Sequence, residues 1–195
     1  MLKYWKILCG LAVLPLAAVY RVIVPRVMWG LVKEDLALWT RWLRLSDSFW
    51  GFACLLGGYP EFRTVFYKRV RLFRLLSSWW LKGKVTLEIT TRDIGGGLLI
   101  QHGFSTIISA EKIGRNCKVY QQVTIGYDHS LHAPVIGDNV EICCGAKVIG
   151  GITVGDNVLI GANAVVVKDV PPNSVVAGVP ARIINKLDSW RDITS

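Results

Sequence analysis

The chain has no CxxC pair among its five cysteines, Cys9, Cys54, Cys117, Cys143 and Cys144. That leaves neither a zinc-ribbon spacing nor a disulfide framework, and it suits a reducing, cytoplasmic setting. Nor is there an apolar run long enough to cross a bilayer. The longest, Ile7 to Tyr20, is 14 residues, short of the ~20 that a spanning helix needs. Lys3 and Lys6 ahead of it set up a signal-peptide-like charge step, but Ala17 and Ala18 are a poor cleavage site. Histidine is scarce too. His129 and His132 share one irregular loop, and Cys143–Cys144 offer no complementary pair, so no metal is expected. Apart from Trp190, tryptophan is missing after residue 84.

What is present is divided unevenly. Residues 1–84 carry 14 Lys/Arg against 4 Asp/Glu, a net +10, and residues 85–195 carry 9 against 10, a net −1. The basic, Trp-rich part therefore reads as one helical segment (1–84) and the remainder as a second domain (85–195). An anionic surface is the partner that such a segment fits, and the Trp and Leu content favours membrane lipid over nucleic acid. The protein would then be cytoplasmic and peripheral on the inner face of the cell membrane. Packing of these helices onto the second domain is the competing reading. Gly57, Gly58 and Pro60 break the helical stretch. From Glu61 to Lys82, Phe62, Val65, Phe66, Val70, Phe73, Leu76 and Trp80 then keep helical spacing, with Arg63, Lys68, Arg69, Arg71 and Arg74 as a solvated face.

The second domain has its own rhythm. Ile136, Ile142, Val148, Val154, Ile160 and Val166 fall six apart without a break, and Val140, Ala146, Ile152, Val158, Ala164 and Val170 repeat the pattern four places on. A period of six is neither helical nor a strand alternation. It marks a solenoid of short parallel strands with one apolar side chain per strand turned to the axis. The phase extends back through Ile94, Ile100, Ile107, Ile113, Val119 and Ile125, with a one-residue slip before Ile107 and one hexad plus a five-residue loop between Ile125 and Ile136. Pro171 and Pro172 should end the ladder, the tail from Asn173 should leave it, and Asn185 onward should form a short terminal helix.

With three strands per coil, His102, Gln121, Cys144 and Ala162 fall on one edge of the prism, a groove for an extended ligand. His102 is the candidate general base, and Glu88, about one coil earlier, could hold its tautomer. Cys144 has no neighbouring base in sequence and reads as an inert thiol.

The tail Lys168-Asp169-Val170-Pro171-Pro172 and Ala177-Gly178-Val179-Pro180-Ala181-Arg182 is similar to the ending of the hexapeptide-repeat acyltransferases. Gly95-Gly96-Gly97-Leu98-Leu99-Ile100-Gln101-His102-Gly103, with Val123-Thr124-Ile125-Gly126, resembles the serine O-acetyltransferase branch, and most closely its capsule- and exopolysaccharide-associated relatives. The resemblance covers about residues 62–186. It implies a mainly β fold, a left-handed parallel β-helix of hexapeptide repeats behind an N-terminal helical segment. It also implies a homotrimer and acetyl-CoA as co-substrate. His102 matches the general base and Glu88 its carboxylate partner. Gln121, Gly126, Cys144, Ala162, Lys168 and Arg182 match the acetyl-CoA groove, and Gln101 and His132 match acceptor-binding positions.

Two departures bear on the acceptor. Gln101 stands where the serine enzymes have Asp, and Leu131-His132-Ala133-Pro134 stands where they have Arg-His-Pro. With those charges missing, a sugar hydroxyl in surface-polysaccharide assembly is the expected acceptor and serine the second. A γ-class carbonic anhydrase-like metalloenzyme and a non-catalytic membrane-associated scaffold are the readings from other classes.

Overall fold

Prolines punctuate the first third of the chain. In the computed structural model, which describes residues 2–46 and 48–187 with side chains from residue 8 onward, helix α1 (Leu2–Ile23) ends just before Pro25. Pro25 is the N-cap of α2 (Arg26–Leu43), which stops at Arg44 in the left-handed region. The Ser48 hydroxyl caps α3 (Phe49–Gly58), and Pro60 sits in the first turn of α4 (Pro60–Val70), where its missing N–H is no loss. Gly10 of α1 and Gly57 of α3 lie where any Cβ would strike the facing helix at Cys54 and at the Cys9 carbonyl. Phe66 is the centre of this helical unit, with Tyr20 edge-on at 5.0 Å, Phe52 at 5.3 Å and Phe62 stacked at 6.2 Å.

The helix expected to run to Lys82 stops at Val70. Arg71 takes φ 49, and Arg71–Leu76 form a 3-10 turn instead. Phe62, Val65, Phe66 and Val70 are buried, whereas Leu76 and Trp80 face out, so the later members of the apolar stripe are not core. Two of the residues read as a solvated face are buried as well. Arg63 donates to the carbonyls of Leu56, Gly57 and Lys82, which closes the open C-terminal end of α3. Arg69 makes a two-pronged ion pair with Asp35 of α2, at 2.8 and 3.0 Å.

The chain divides into two compact units, Met1–Val85 and Thr86–Ser195. The second is a parallel β-solenoid with three faces. The first face stacks β1 (Leu87–Ile89), β4 (Thr106–Ile108), β7 (Thr124–Gly126), β10 (Lys147–Ile149) and β13 (Val165–Val166). The second stacks β2 (Asp93–Ile94), β5 (Lys112–Ile113), β8 (Val135–Ile136) and β11 (Thr153–Val154). The third holds β3 (Leu99–Ile100), β6 (Lys118–Val119), β9 (Glu141–Ile142), β12 (Val158–Ile160), β14 (Ser174–Ala177) and β15 (Arg182–Lys186). All six leading residues from Ile136 to Val166 are buried, and Ile113 pairs with Ile136 across the second face. The five-residue loop therefore sits where the period placed it.

Three expectations fail in detail. The inward residue of β4 is Ile108, fully buried and paired with Ile125, while Ile107 is 42 % exposed; the slip is larger than one residue and is taken up at the corner before β4. The prolines do not end the ladder. Val170 still bridges Val154, the Asn173 amide donates to the Asp156 carbonyl, and β14 adds a parallel strand beside β12. Pro171 and Pro172 lie between strands, where no ladder donor is needed. Finally, Arg182–Lys186 is a strand antiparallel to β14, not helix; the rest of the expected terminal helix, from residue 188, lies outside the described residues.

One corner carries a polar spine that the hexad pattern did not reveal. Asn116, Asn139, Asn157 and Asn173 all take φ between 55 and 58, and each side-chain amide donates to the next, at 3.2, 3.0 and 2.9 Å. Asparagine tolerates the left-handed turn that closes each coil, and the ladder of amides joins coil to coil.

The Asp35–Arg69 pair yields a prediction. Asp35→Ala removes the carboxylate from a buried guanidinium and should lower stability by ~3–5 kcal/mol, read as an earlier urea transition in the helical circular dichroism signal. Asp35→Leu combined with Arg69→Met should recover most of that loss.

Candidate active site

The groove edge is the corner between the third and first faces. Ile100 pairs with Val119, Val119 with Ile142, and Ile142 with Ile160, so the residues that follow these four rungs stack on one another. In the regular coils the corner is closed by one left-handed residue three places before the next inward one: Gln122 (φ 61), Gly145 (φ 74) and Asn163 (φ 57). At the first corner Ser105 (φ 49) takes that place, and His102 (φ 64) and Gly103 (φ 36) are additional left-handed residues ahead of it.

The first coil spans 19 residues from Ile100 to Val119, against 18 from Ile142 to Ile160. Its corner from Ile100 to Ile108 is eight residues, two more than a hexad. Backbone bonds show which two are extra. The Gln122 amide donates to the Phe104 carbonyl, Gly145 to Gln121 and Asn163 to Cys144. The stacked column is therefore Phe104–Gln121–Cys144–Ala162. His102 belongs to a two-residue bulge at its head, not to the column itself. A bulge at a functional position re-aims a side chain, and this one leaves the imidazole exposed.

Around His102 the polar atoms are unevenly satisfied. The Gln101 amide nitrogen lies 3.4 Å from His102 Nε2, while Gln101 Oε1 and Gln121 Oε1 are buried without a hydrogen-bond partner among the described residues. Orphaned buried acceptors are uncommon and carry a desolvation penalty. Two at one corner mark a place where a ligand donor is wanted.

Glu88 is exposed in the middle of β1, opposite Ile107 of β4. Among the described residues it makes no hydrogen bond to His102. Its strand does reach the bulge, because the Thr86 hydroxyl donates to the Gly103 carbonyl at 3.4 Å.

Farther along the edge the side chains shrink through Cys144 and Ala162 to Gly178, two places after Val176 of β14. The Cys144 amide N–H meets no protein acceptor among the described residues. Gly126 ends β7 with open space before it: an added Cβ would reach only Ile149 and Thr124, both at 3.9 Å. Lys168 and Arg182 line one small cleft in the last coil, about three rungs or roughly 14 Å below the bulge.

Burial, reinforced by Glu141 and Cys144, pushes the Cys143 thiol up to about 11. Glu141 also takes the Lys118 ammonium at 3.3 Å and the Tyr120 hydroxyl at 2.9 Å. That cluster was readable in principle, since Lys118 and Glu141 each stand one place before an inward residue of the same face.

His132 is not brought to His102 within one chain. Its loop lies between β7 and β8, on the edge joining the first and second faces. Asp128 pins that loop by accepting from the Ser130 hydroxyl at 2.7 Å and the Ser130 amide at 2.8 Å. These bonds, the Ser130 hydroxyl foremost, hold the Asp128 carboxyl below its ordinary range. His129 shares the loop, so the three histidines occupy two different edges.

The model for the bacterial transferase hexapeptide, six repeats, matches residues 133–168. The serine acetyltransferase of Staphylococcus xylosus is 45 % identical over 98 residues, 48 % of this chain and 45 % of that protein. The structure of Neisseria gonorrhoeae serine acetyltransferase in complex with serine superposes with a TM-score of 0.65 at 26 % identity, covering 85 % of this chain and 72 % of that one. That of Brucella abortus strain S19 in complex with coenzyme A gives 0.63 at 26 %, covering 81 % and 68 %.

The solenoid is a β-solenoid of hexapeptide repeats, and part of it is homologous to serine acetyltransferases. The chain spans less than half the length of the curated relatives it matches.

These relatives overturn the sugar acceptor of surface-polysaccharide assembly, since they are serine acetyltransferases and one is solved with serine bound. The charge argument against serine was too strict. A buried amide oxygen such as Gln101 Oε1, lacking a donor, can accept from an ammonium without itself being charged.

The column makes a steric prediction. Ala162→Trp should abolish coenzyme A binding in calorimetry while the circular dichroism spectrum is unchanged. A folded variant that binds coenzyme A normally would rule out this edge as the groove.

Proposed function

We propose that the chain is an acetyl-CoA-dependent O-acetyltransferase of the cytoplasm whose acceptor is the hydroxyl of serine. The observation that carries the reading is the bulged corner: an exposed His102 at the same corner as two buried amide oxygens that lack donors among the described residues, at the head of a column of shrinking side chains. Likeness to serine acetyltransferases, solved with serine and with coenzyme A, supports it.

In this mechanism His102 removes the serine hydroxyl proton as the oxygen attacks the thioester carbonyl. The C–O bond forms, the carbonyl oxygen becomes an oxyanion, and the free Cys144 N–H stabilises it. Collapse breaks the C–S bond, and the imidazolium returns its proton to the departing thiolate, giving O-acetylserine and coenzyme A. Glu88, on the strand tied to the bulge, orients the imidazole and stabilises its charged form.

Gln101 Oε1 accepts from the serine ammonium, and Gln121 Oε1 accepts an amide N–H of the acetyl-CoA arm. Gly126 and Ala162 give that arm room, with Lys168 and Arg182 toward its phosphates. His132 lies on another edge of the prism, so a homotrimer would complete the acceptor site, setting the His132 loop of one copy against the His102 corner of the next. The +10 of residues 1–84 suits an enzyme that works at the face of an anionic membrane.

The test is release of coenzyme A thiol from acetyl-CoA on adding serine. His102→Ala should lower kcat by ~10²–10⁴-fold with coenzyme A affinity nearly unchanged, because loss of a general base acts on the transition state. Gln101→Asp should lower the KM for serine by restoring a charge opposite the ammonium. Full turnover in His102→Ala would place the chemistry elsewhere.

A further inference from the structure

Helix α1 is apolar on both sides. Val13, Ala17, Tyr20 and Val24 face inward and are buried. Leu8, Leu11, Pro15, Val19 and Val22 form a second stripe at helical spacing, and all are exposed, Val22 at 84 %. A helix that is apolar all round is normally covered all round. This outward stripe runs about 21 Å without a charged residue, and Val27, just past Pro25 in α2, is 90 % exposed as well. No helix among the described residues is long and apolar enough to cross a membrane.

Beside the C-terminal end of α1 is a cleft of about 420 Å³ lined by Arg21, Trp29, Lys33, Leu36, Ser48, Phe49 and Phe52. Among the described residues its polar side chains are Arg21, Lys33, Ser48 and Trp29, with no acidic one. The Arg21 guanidinium lies over the Trp29 ring at 5.2 Å. Trp29 is only 5 % exposed, and its indole N–H is buried without an acceptor among the described residues. A cleft with two cations and an orphaned N–H donor, walled by Phe49 and Phe52, suits an anionic headgroup on an apolar molecule. Residues 1–33 contain five Lys/Arg and no Asp/Glu, so nothing in this stretch opposes a negative surface.

We propose that the helical unit docks on an anionic lipid bilayer, with the α1 stripe lying in the acyl boundary and the Arg21–Trp29–Lys33 cleft holding a lipid phosphate. The stripe supplies apolar burial and the cations supply the attraction to anionic headgroups. A second copy of the chain could also cover an apolar stripe, but it would not need the five Lys/Arg of residues 1–33 unopposed by any acid in that stretch. This rests on the membrane part of the proposed function and not on the identity of the acceptor.

Co-flotation of the full-length protein with vesicles tests it. Binding is expected to phosphatidylcholine vesicles containing phosphatidylglycerol, weakening as salt rises, and not to pure phosphatidylcholine. Arg21→Gln with Lys33→Gln should weaken binding about tenfold or more, whereas Arg41→Gln with Lys186→Gln, the same loss of charge at exposed positions elsewhere, should weaken it much less. Leu11→Glu with Val22→Glu should abolish binding and leave the oligomeric state unchanged. All variants should acetylate serine at the parent rate in vesicle-free buffer, which separates failure of docking from failure of the enzymatic reading. Equal binding to neutral vesicles, equal effects of the two charge-removing pairs, or dissociation of an oligomer by the stripe variant would each overturn the proposal.

Discussion

Backbone hydrogen bonding from coil to coil constrains everything else in the solenoid. Each short strand must lie beside its counterpart one coil away, and each must present an aliphatic side chain to a narrow axis. Extra residues can therefore enter only at corners, where they project outward without shifting a rung. The protein uses this freedom twice, in the His102–Gly103 bulge and in the loop that carries His129 and His132. Both insertions bear the histidines, and every histidine of the chain is in one of them. The histidines are thus concentrated where the ladder permits irregularity.

Most of the ladder could be read from the sequence because its constraint is periodic. Ile136 through Val166 have one role each, and nothing else in the chain competes for those positions. The reading failed where two residues satisfied it equally, as with Ile107 and Ile108, since the hexad count cannot tell which isoleucine turns inward when the adjoining corner changes length. It failed again at Pro171–Pro172, where proline was taken to stop a ladder that it only rounds. In the helical unit, spacing alone could not show that Arg63 and Arg69 serve carbonyls and a carboxylate inside the fold, because a basic residue at a given helical phase looks the same whether solvent or a buried acceptor faces it.

The candidate site was legible as a set of residues and less so as an arrangement. His102 stood out by its surroundings as a candidate, and the stacking of Gln121, Cys144 and Ala162 followed from the period. That Phe104 heads the column, and that His102 stands out from it, depends on left-handed backbone angles which the sequence hints at only through Gly103. The acceptor was misjudged for a different reason. Missing charges were counted against serine, while the unsatisfied oxygens of Gln101 and Gln121, visible only once burial is known, went uncounted.

The antiparallel course of β15 has a consequence for growth. A stack of parallel coils ends in an open edge that another such stack could extend, and repeat architectures need a terminal element to prevent it. Here the chain turns back and lays Arg182–Lys186 against β14 in the opposite direction. A further parallel coil arriving at that face meets a strand of the wrong polarity, with basic groups at both ends of it. Charged side chains on an edge strand disfavour pairing with another chain, and Arg182 and Lys186 put such charges on this one.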